Sequence, residues 1–333
     1  MIPFVAAQVK AIVEDIRLLE SFVTVPLGLY SDIRMLRESL PFPEAAELSR
    51  EETRERRTAF MSLTDAPLDL AFDTISSIAA SIYVLEQVKE DGGPPLEPDW
   101  VLRARRVLSR AEQKVGGDIR VSVASKIRGL YVIIDPEVTN GRPVIEVAEA
   151  TLKGGASVLQ LRDKTRDKGE ILPAARQLKA MCDDYDALFI MNDDADIALA
   201  CDAHGLHVGQ TDLPVSESRR TLAYRQIIGT SNGGVDEAMQ SQSNGADYLA
   251  VGAVFATTTM GKSGRTSLGV EMLSKVKELV SQPIVAIGGI NAGNIAEVVK
   301  AGADCVCVVS AVTLADDPES ATRELVEAIL GAR

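Results

Sequence analysis

From Gly129 onward the chain repeats one short pattern: a brief apolar run, a polar break, then a stretch with apolar residues three and four apart. The apolar runs fall at 130–134, 158–161, 188–191, 206–208, 227–229, 248–251, 284–287 and 305–309. Helical spacing occupies 144–152, 171–182, 235–243, 270–280 and 294–301 between them, and 321–330 supplies a closing helix. Eight strand–helix units in roughly 200 residues predict an α/β fold, a compact (β/α)8 TIM barrel. An open doubly wound sheet competes, and the strand count disfavours it.

The preceding residues have another texture. Helical spacing runs over 8–25, 29–40, 68–85 and 100–115, and 49–57 looks like a further helix start. Pro26 with Gly28, Pro41 with Pro43, and the loop Asp91-Gly92-Gly93-Pro94-Pro95 interrupt the pattern, and Gly116-Gly117 is expected to end the last helix. The length of 333 residues fits two domains, an all-α domain over 1–120 and a barrel over 121–333. The helical half holds no catalytic cluster. It reads as a scaffold packed beside the barrel, with a regulatory or dimerising role as the alternative.

In a (β/α)8 barrel the active site forms where strands run into the loops that follow them. Successive strand residues alternate in direction, so Gln160, Arg162 and Lys164 share one side of the second strand. Two cations and an amide there suit an anionic, phosphorylated ligand. A solvated charged loop would explain that stretch alone equally well, but later strands also end in polar residues. Those ends are Asn192-Asp193-Asp194, Gly209-Gln210-Thr211-Asp212, Thr230-Ser231-Asn232, Gly288-Gly289-Ile290 and Ser310-Ala311. Gly288, Gly289 and Ser310 follow strands seven and eight, the usual phosphate corner of this fold, where glycine backbone and a helix start approach an anion.

Asp193 and Asp212 stand on neighbouring strand ends. One or two carboxylates completed by water and phosphate oxygens make an Mg²⁺ site, and a helix N-cap is the alternative for each. Arg162, Lys164 and Lys262 can share the charge of a diphosphate. The Gly- and Ser-containing stretch 261–268 is expected to act as a lid. His207, within strand four, reads as a hydrogen-bonding core residue.

Composition narrows the partners. A net charge of -13 argues against a nucleic-acid surface while leaving room for a local basic pocket. Four cysteines without CxxC spacing and only two histidines exclude a His-rich metal site, and Cys305 with Cys307 read as small core residues. No signal segment or long uncharged apolar run is apparent, and nothing calls for an oxidising compartment. The expected setting is the cytoplasm, with small-molecule substrates, no membrane and no nucleic acid. A homo-oligomer is compatible with this reading.

Taken together, Gln160-Leu161-Arg162-Asp163-Lys164, Asn192-Asp193, residues 205–212 (GLHVGQTD), Thr257-Thr258-Thr259 and residues 285–290 (VAIGGI) resemble the thiamine-phosphate synthase family, in one register from Gly129 to the carboxyl end. The helical half is also similar, weakly, to an extension found on some members. The resemblance implies a (β/α)8 barrel that joins an aminopyrimidine methyl diphosphate to a thiazole ethyl phosphate and releases diphosphate, the diphosphate leaving first. It implies that Gln160, Leu161, Arg162, Asp163, Lys164, Asn192 and Ser231 hold the pyrimidine diphosphate. Asp193 and Asp212 would hold Mg²⁺. Thr257, Thr258, Thr259, Gly289, Val309 and Ser310 would hold the thiazole phosphate. Arg162, Lys164, Ser231 and Lys262 would serve the reaction itself.

Two positions depart from the family's pattern. Met260 stands where a lysine usually follows the Thr-x-Thr unit, with Lys262 the nearest replacement, and Asp194 stands where an arginine usually follows Asn-Asp. The alternatives are a barrel that isomerises the thiazole phosphate and a non-catalytic sensor of thiamine intermediates.

Overall fold

The computed structural model describes residues 3–22, 29–40, 67–88, 96–259 and 267–333. It divides into two compact units, Met1–Ile119 and Arg120–Arg333. Among the described residues the first unit is helical, with α1 (Pro3–Phe22), α2 (Tyr30–Glu38), α3 (Pro67–Gln87) and most of α4 (Pro98–Ala124). The expected helix start at 49–57, the breaks at Pro26, Gly28, Pro41 and Pro43, and the loop 91–95 lie outside the described residues.

Each helix buries one apolar stripe. Ile12, Ile16 and Leu19 of α1 are buried, as are Ile75, Ile78 and Ile82 of α3, the helix against which α1 packs. Within this unit Arg37 Nε donates to Glu20 Oε2 at 2.6 Å, with both side chains buried. The segment Leu68–Gln87 is long and apolar enough to cross a membrane by length and composition alone, although it carries Asp69, Asp73 and Glu86 and so is not an uncharged run. In the fold Asp73, Ser76 and Ser77 lie on its exposed side, so it is built as a one-sided packing helix. The break expected at Gly116-Gly117 is corrected, because α4 continues through both glycines to Ala124. Trp100, Ala104, Leu108, Ala111, Val115 and Ile119 form one buried stripe along it. Two helical glycines cost about 1 kcal/mol each against alanine, and this continuing burial outweighs that.

The second unit is a closed parallel barrel in sequential strand order. Its strands are β1 (Gly129–Ile134), β2 (Val158–Leu161), β3 (Leu188–Asn192), β4 (Gly205–Val208), β5 (Ile227–Asn232), β6 (Tyr248–Gly252), β7 (Ile284–Ile287) and β8 (Cys305–Val308). β5 extends three residues beyond its expected end, because Thr230, Ser231 and Asn232 stay in register with Leu249, Ala250 and Val251 of β6. Alternation along the strands makes two cores. Leu159, Leu161, Phe189 and Met191 face the surrounding helices, whereas Ile133, Val158, Ile190, Tyr248, Cys305 and Cys307 fill the barrel interior. Ala124 and Ile127 join that interior cluster. Arg120 lies 3.4 Å from Asp247, whose other carboxylate oxygen accepts the Ile228 N–H and an Arg219 N–H.

His204 gives the barrel a pH dependence. Its Nδ1 accepts the Phe189 N–H at 2.9 Å, so protonation would break a bond to the start of β3. Burial, and then the nearby Lys179 cation, push His204 down to about 4. The unfolded chain therefore binds the proton first as pH falls from about 6.5, and stability drops across the window down to about 4. The loss is at most about 3 kcal/mol, reduced by the partial exposure of the ring. Thermal unfolding across pH 4–7 should show a flatter slope for His204→Asn, whose amide oxygen can accept without titrating. An equal slope in both proteins would remove His204 as the cause.

Candidate active site

The carboxyl ends of β1 to β4 carry the charged half of the rim. Gln160 is buried inside the barrel, and its Nε2 donates to the Tyr131 hydroxyl at 2.7 Å. Beyond it, Arg162 is paired with the buried carboxylate of Asp135 at the end of β1, and Lys164 is paired with Asp193 at the end of β3. Asp135 also accepts the Glu137 N–H at 3.0 Å. Sequence reasoning missed Asp135, which the strand-end rule applied to the first strand would have found, and also Tyr131, inside the barrel.

Asp193 has a left-handed φ of 60°, which aspartate tolerates better than most residues, and its N–H donates to the His207 carbonyl at 2.8 Å. Burial raises its pKa, Lys164 opposes that, and Asp212, within hydrogen-bonding reach, adds to the rise. Asp212 accepts the Gly209 N–H at 2.8 Å. Neither aspartate caps a helix: Asp194 occupies the N-cap of Ala195–Ala200, and Pro214 that of Val215–Thr221. Two adjacent carboxylates, one partly desolvated, fit a divalent cation that removes their mutual repulsion. Among the described residues no group of three or more His, Cys, Asp or Glu side chains is placed to hold a metal. Any ion here would complete its shell with water and phosphate. The charge of Asp194 is offset by Lys168, 3.0 Å away, which also pairs with Asp196 at 2.8 Å.

Three of the residues named from the sequence have side chains directed elsewhere than the rim cavity or its charged cluster. Leu161 points outward into the layer under the helices, leaving only its backbone toward the rim. Asp163 is buried and turned into its own loop, where it accepts the backbone N–H groups of Thr165 and Arg166 and pairs with the Arg166 guanidinium. Its pKa is lowered overall: burial, the largest influence, pushes upward, and the Arg166 and backbone donors outweigh it. Thr258 is exposed and does not line the cavity described next. Asn192 is half-buried at the end of β3, in register with His207. Ser231 lies on β5, its Oγ 3.0 Å from His207 Nε2.

The ends of β6 to β8 form an uncharged cavity. Thr257, Thr259, Gly288, Gly289, Val309 and Ser310 line it, together with Ala253, Ile287 and Cys307. The hydroxyls of Thr259 and Ser310 are 3.2 Å apart, and Thr257 Oγ1 accepts the Thr259 N–H at 3.2 Å. Gly288 and Gly289 have φ of +105° and +64°, and a Cβ on Gly289 would sit 2.6 Å from the Ala256 carbonyl oxygen. Glycine is therefore required by both backbone conformation and close approach. Met260, Lys262 and most of the expected lid (261–266) lie outside the described residues.

A family model described as thiamine monophosphate synthase matches residues 130–312. The chain belongs to the thiamine monophosphate synthase family. It is 45% identical over 204 residues to a thiamine-phosphate synthase of Moorella thermoacetica, covering 61% of this chain and 97% of the relative. A thiamine-phosphate synthase of Thermosynechococcus vestitus is 44% identical over 263 residues, 79% of this chain and 66% of the relative. That match is longer than the barrel unit, so the family resemblance reaches into the helical unit. Among solved structures, the thiamine phosphate pyrophosphorylase from Pyrococcus furiosus superposes with a TM-score of 0.58 at 38% identity, covering 63% of this chain and 98% of that one. Members of this family are transferases.

Proposed function

We propose that this chain is a thiamine-phosphate synthase. It would join 4-amino-2-methyl-5-(diphosphomethyl)pyrimidine to 4-methyl-5-(2-phosphoethyl)thiazole and release diphosphate; from the carboxylated precursor of the thiazole it would release carbon dioxide as well. One observation carries the reading: a single barrel rim carries a cluster of cations and carboxylates and, apart from it, an uncharged cavity, which suits two anionic groups bound in different ways. Arg162 paired with Asp135 and Lys164 paired with Asp193 make up the first, and the cavity of Thr257, Thr259, Gly289 and Ser310 is the second. A thiazole-phosphate isomerase needs the second site and has no use for the first.

The chemistry asks for charge stabilisation and no protein nucleophile. The bond between the pyrimidine methylene carbon and the diphosphate oxygen breaks, and its electron pair leaves with the diphosphate. The thiazole nitrogen lone pair then forms the new C–N bond. Arg162 and Lys164 balance the growing charge on the leaving group, Lys164 by exchanging Asp193 for a phosphate oxygen. Lys262 is assigned the remaining cationic contact, in place of Met260. Asp193 and Asp212 would hold Mg²⁺, which supplies further neutralisation of the diphosphate when bound. Gln160, Asn192 and Ser231 orient the pyrimidine, and the neutral cavity fixes the thiazole phosphate, so the two partners meet in one orientation.

The test is incubation of the purified protein with both substrates and Mg²⁺, following diphosphate and thiamine phosphate together. Equal yields of the two products are expected, and chelation should stop both. Binding of both substrates without turnover would favour the sensor, and conversion of the thiazole phosphate alone would favour the isomerase. The reading places the enzyme in the cytosol, consistent with four free, buried cysteines among the described residues.

A shortened chain beginning at Asp118 is expected to fold and turn over, because it keeps Arg120, Ala124 and every assigned ligand. One beginning at Ser125 loses the Arg120–Asp247 contact and should melt about 2–8 °C lower, for roughly 1–2 kcal/mol lost. Calorimetry of the two decides it; an insoluble Asp118 form would make the helical unit integral to the fold.

A further inference from the structure

Five residues on five strands are joined by one hydrogen-bond chain through the barrel interior. Gln160 Nε2 donates to Tyr131 Oη at 2.7 Å, and Tyr131 Oη lies 3.2 Å from Tyr248 Oη. Tyr248 Oη lies 3.1 Å from His207 Nδ1, and His207 Nε2 lies 3.0 Å from Ser231 Oγ. Tyr131 and Tyr248 are buried, and burial raises both phenol pKa values, so the hydroxyls keep their protons. The fold makes special room for this chain: a Cβ on Gly229 would lie 1.9 Å from the Tyr248 ring.

Proton counting gives the chain a direction. An amide NH₂ can only donate, so Tyr131 accepts from Gln160 and spends its one proton on Tyr248. Tyr248 then donates to His207 Nδ1, which leaves the imidazole proton on Nε2, and Nε2 donates to Ser231 Oγ. The Gln160 carbonyl oxygen and the Ser231 proton remain for a ligand. This is the order in which every proton of the chain has an acceptor: with a neutral imidazole, reversing a single link leaves the Tyr131 or Tyr248 hydroxyl proton with no acceptor in the chain. In that order the two ends of the chain have opposite hydrogen-bonding character.

We propose that Tyr131, Tyr248 and His207 are positioning residues whose ordered hydrogen bonds make Gln160 an acceptor and Ser231 a donor toward the substrate, thereby selecting a ring that bears an amino group and an unprotonated ring nitrogen over the corresponding oxo ring. The selection rests on Gln160 and Ser231 contacting the pyrimidine, as read above. The ordering of the protons does not.

The test has two arms. The protein contains only two histidines, so ¹⁵N-histidine labelling of the full chain gives two imidazoles, assigned with His207→Gln and His204→Asn. In the wild type without substrate, His207 is expected to carry its proton on Nε2, and in Tyr248→Phe an Nδ1-protonated population should appear. A wild-type proton on Nδ1, or no tautomer change in Tyr248→Phe, overturns the ordering. In the second arm, Tyr131→Phe and Tyr248→Phe should each raise the KM for the pyrimidine diphosphate about tenfold and narrow its preference over the 4-oxo analogue by a similar factor, with the thiazole-phosphate KM unchanged within about twofold. A merely structural role would move both KM values together or leave discrimination intact, and either result overturns the selection. A wild type that turns over no substrate would refute the functional reading while the tautomer measurement still decides the ordering.

Discussion

Replacing Asp193 and Asp212 together by alanine is expected to lower kcat/KM by about a hundredfold to ten-thousandfold. The two carboxylates sit within hydrogen-bonding reach of each other, and Asp193 is partly desolvated. Each lost charge-assisted anchor is worth roughly 1.5–3 kcal/mol, and each 1.36 kcal/mol is about a factor of ten in rate. The double variant also frees Lys164 from its partner, so substrate affinity should fall less than turnover does. Steady-state kinetics at several Mg²⁺ concentrations separate the two: the wild type should respond to the ion and the variant should not. A variant with full activity, or with an unchanged Mg²⁺ response, would sink the metal assignment.

The second large effect is expected at Arg162, where stability and catalysis can be separated. Arg162→Ala strands the Asp135 carboxylate, whose side chain is 2% exposed, while the Arg162 side chain itself is 22% exposed. Breaking a fully buried pair costs about 3–5 kcal/mol; with Arg162 partly solvated, about 2–3 kcal/mol is expected here. That corresponds to a melting-temperature loss of about 4–12 °C for a barrel of this size. Turnover should drop roughly tenfold to a hundredfold through the lost diphosphate contact. Adding Asp135→Asn removes the stranded charge, so the double variant should regain most of the melting temperature and none of the turnover. If turnover returns as well, Arg162 acts only by supporting the fold.

What could be read in advance followed how local each signal was. Eight apolar runs separated by helical spacing gave the barrel, because alternation and periodicity are properties of neighbouring residues. The strand-end rule then placed Lys164, Asp193, Asp212, Gly289 and Ser310 on one rim with no knowledge of their contacts. It failed where a side chain's direction depends on a turn: Asp163 sits in the same charged run as Lys164, yet it closes its own loop. The Gly116-Gly117 break failed for a related reason, since a local cost was outweighed by burial along the rest of α4.

By itself the sequence determined the fold class and the family, and it pointed to residues at the strand ends. The tertiary structure alone decided how those residues are paired. Arg162 meets Asp135 because β1 lies beside β2, and Lys164 meets Asp193 because β3 lies on the other side. The chain from Gln160 to Ser231 runs through Tyr131, Tyr248 and His207, residues that are far apart in sequence and adjacent only inside a closed barrel. Hydrogen bonds and ion pairs act over a few ångströms, so their partners are set by which strands become neighbours, and that is a property of closure rather than of any local run of residues.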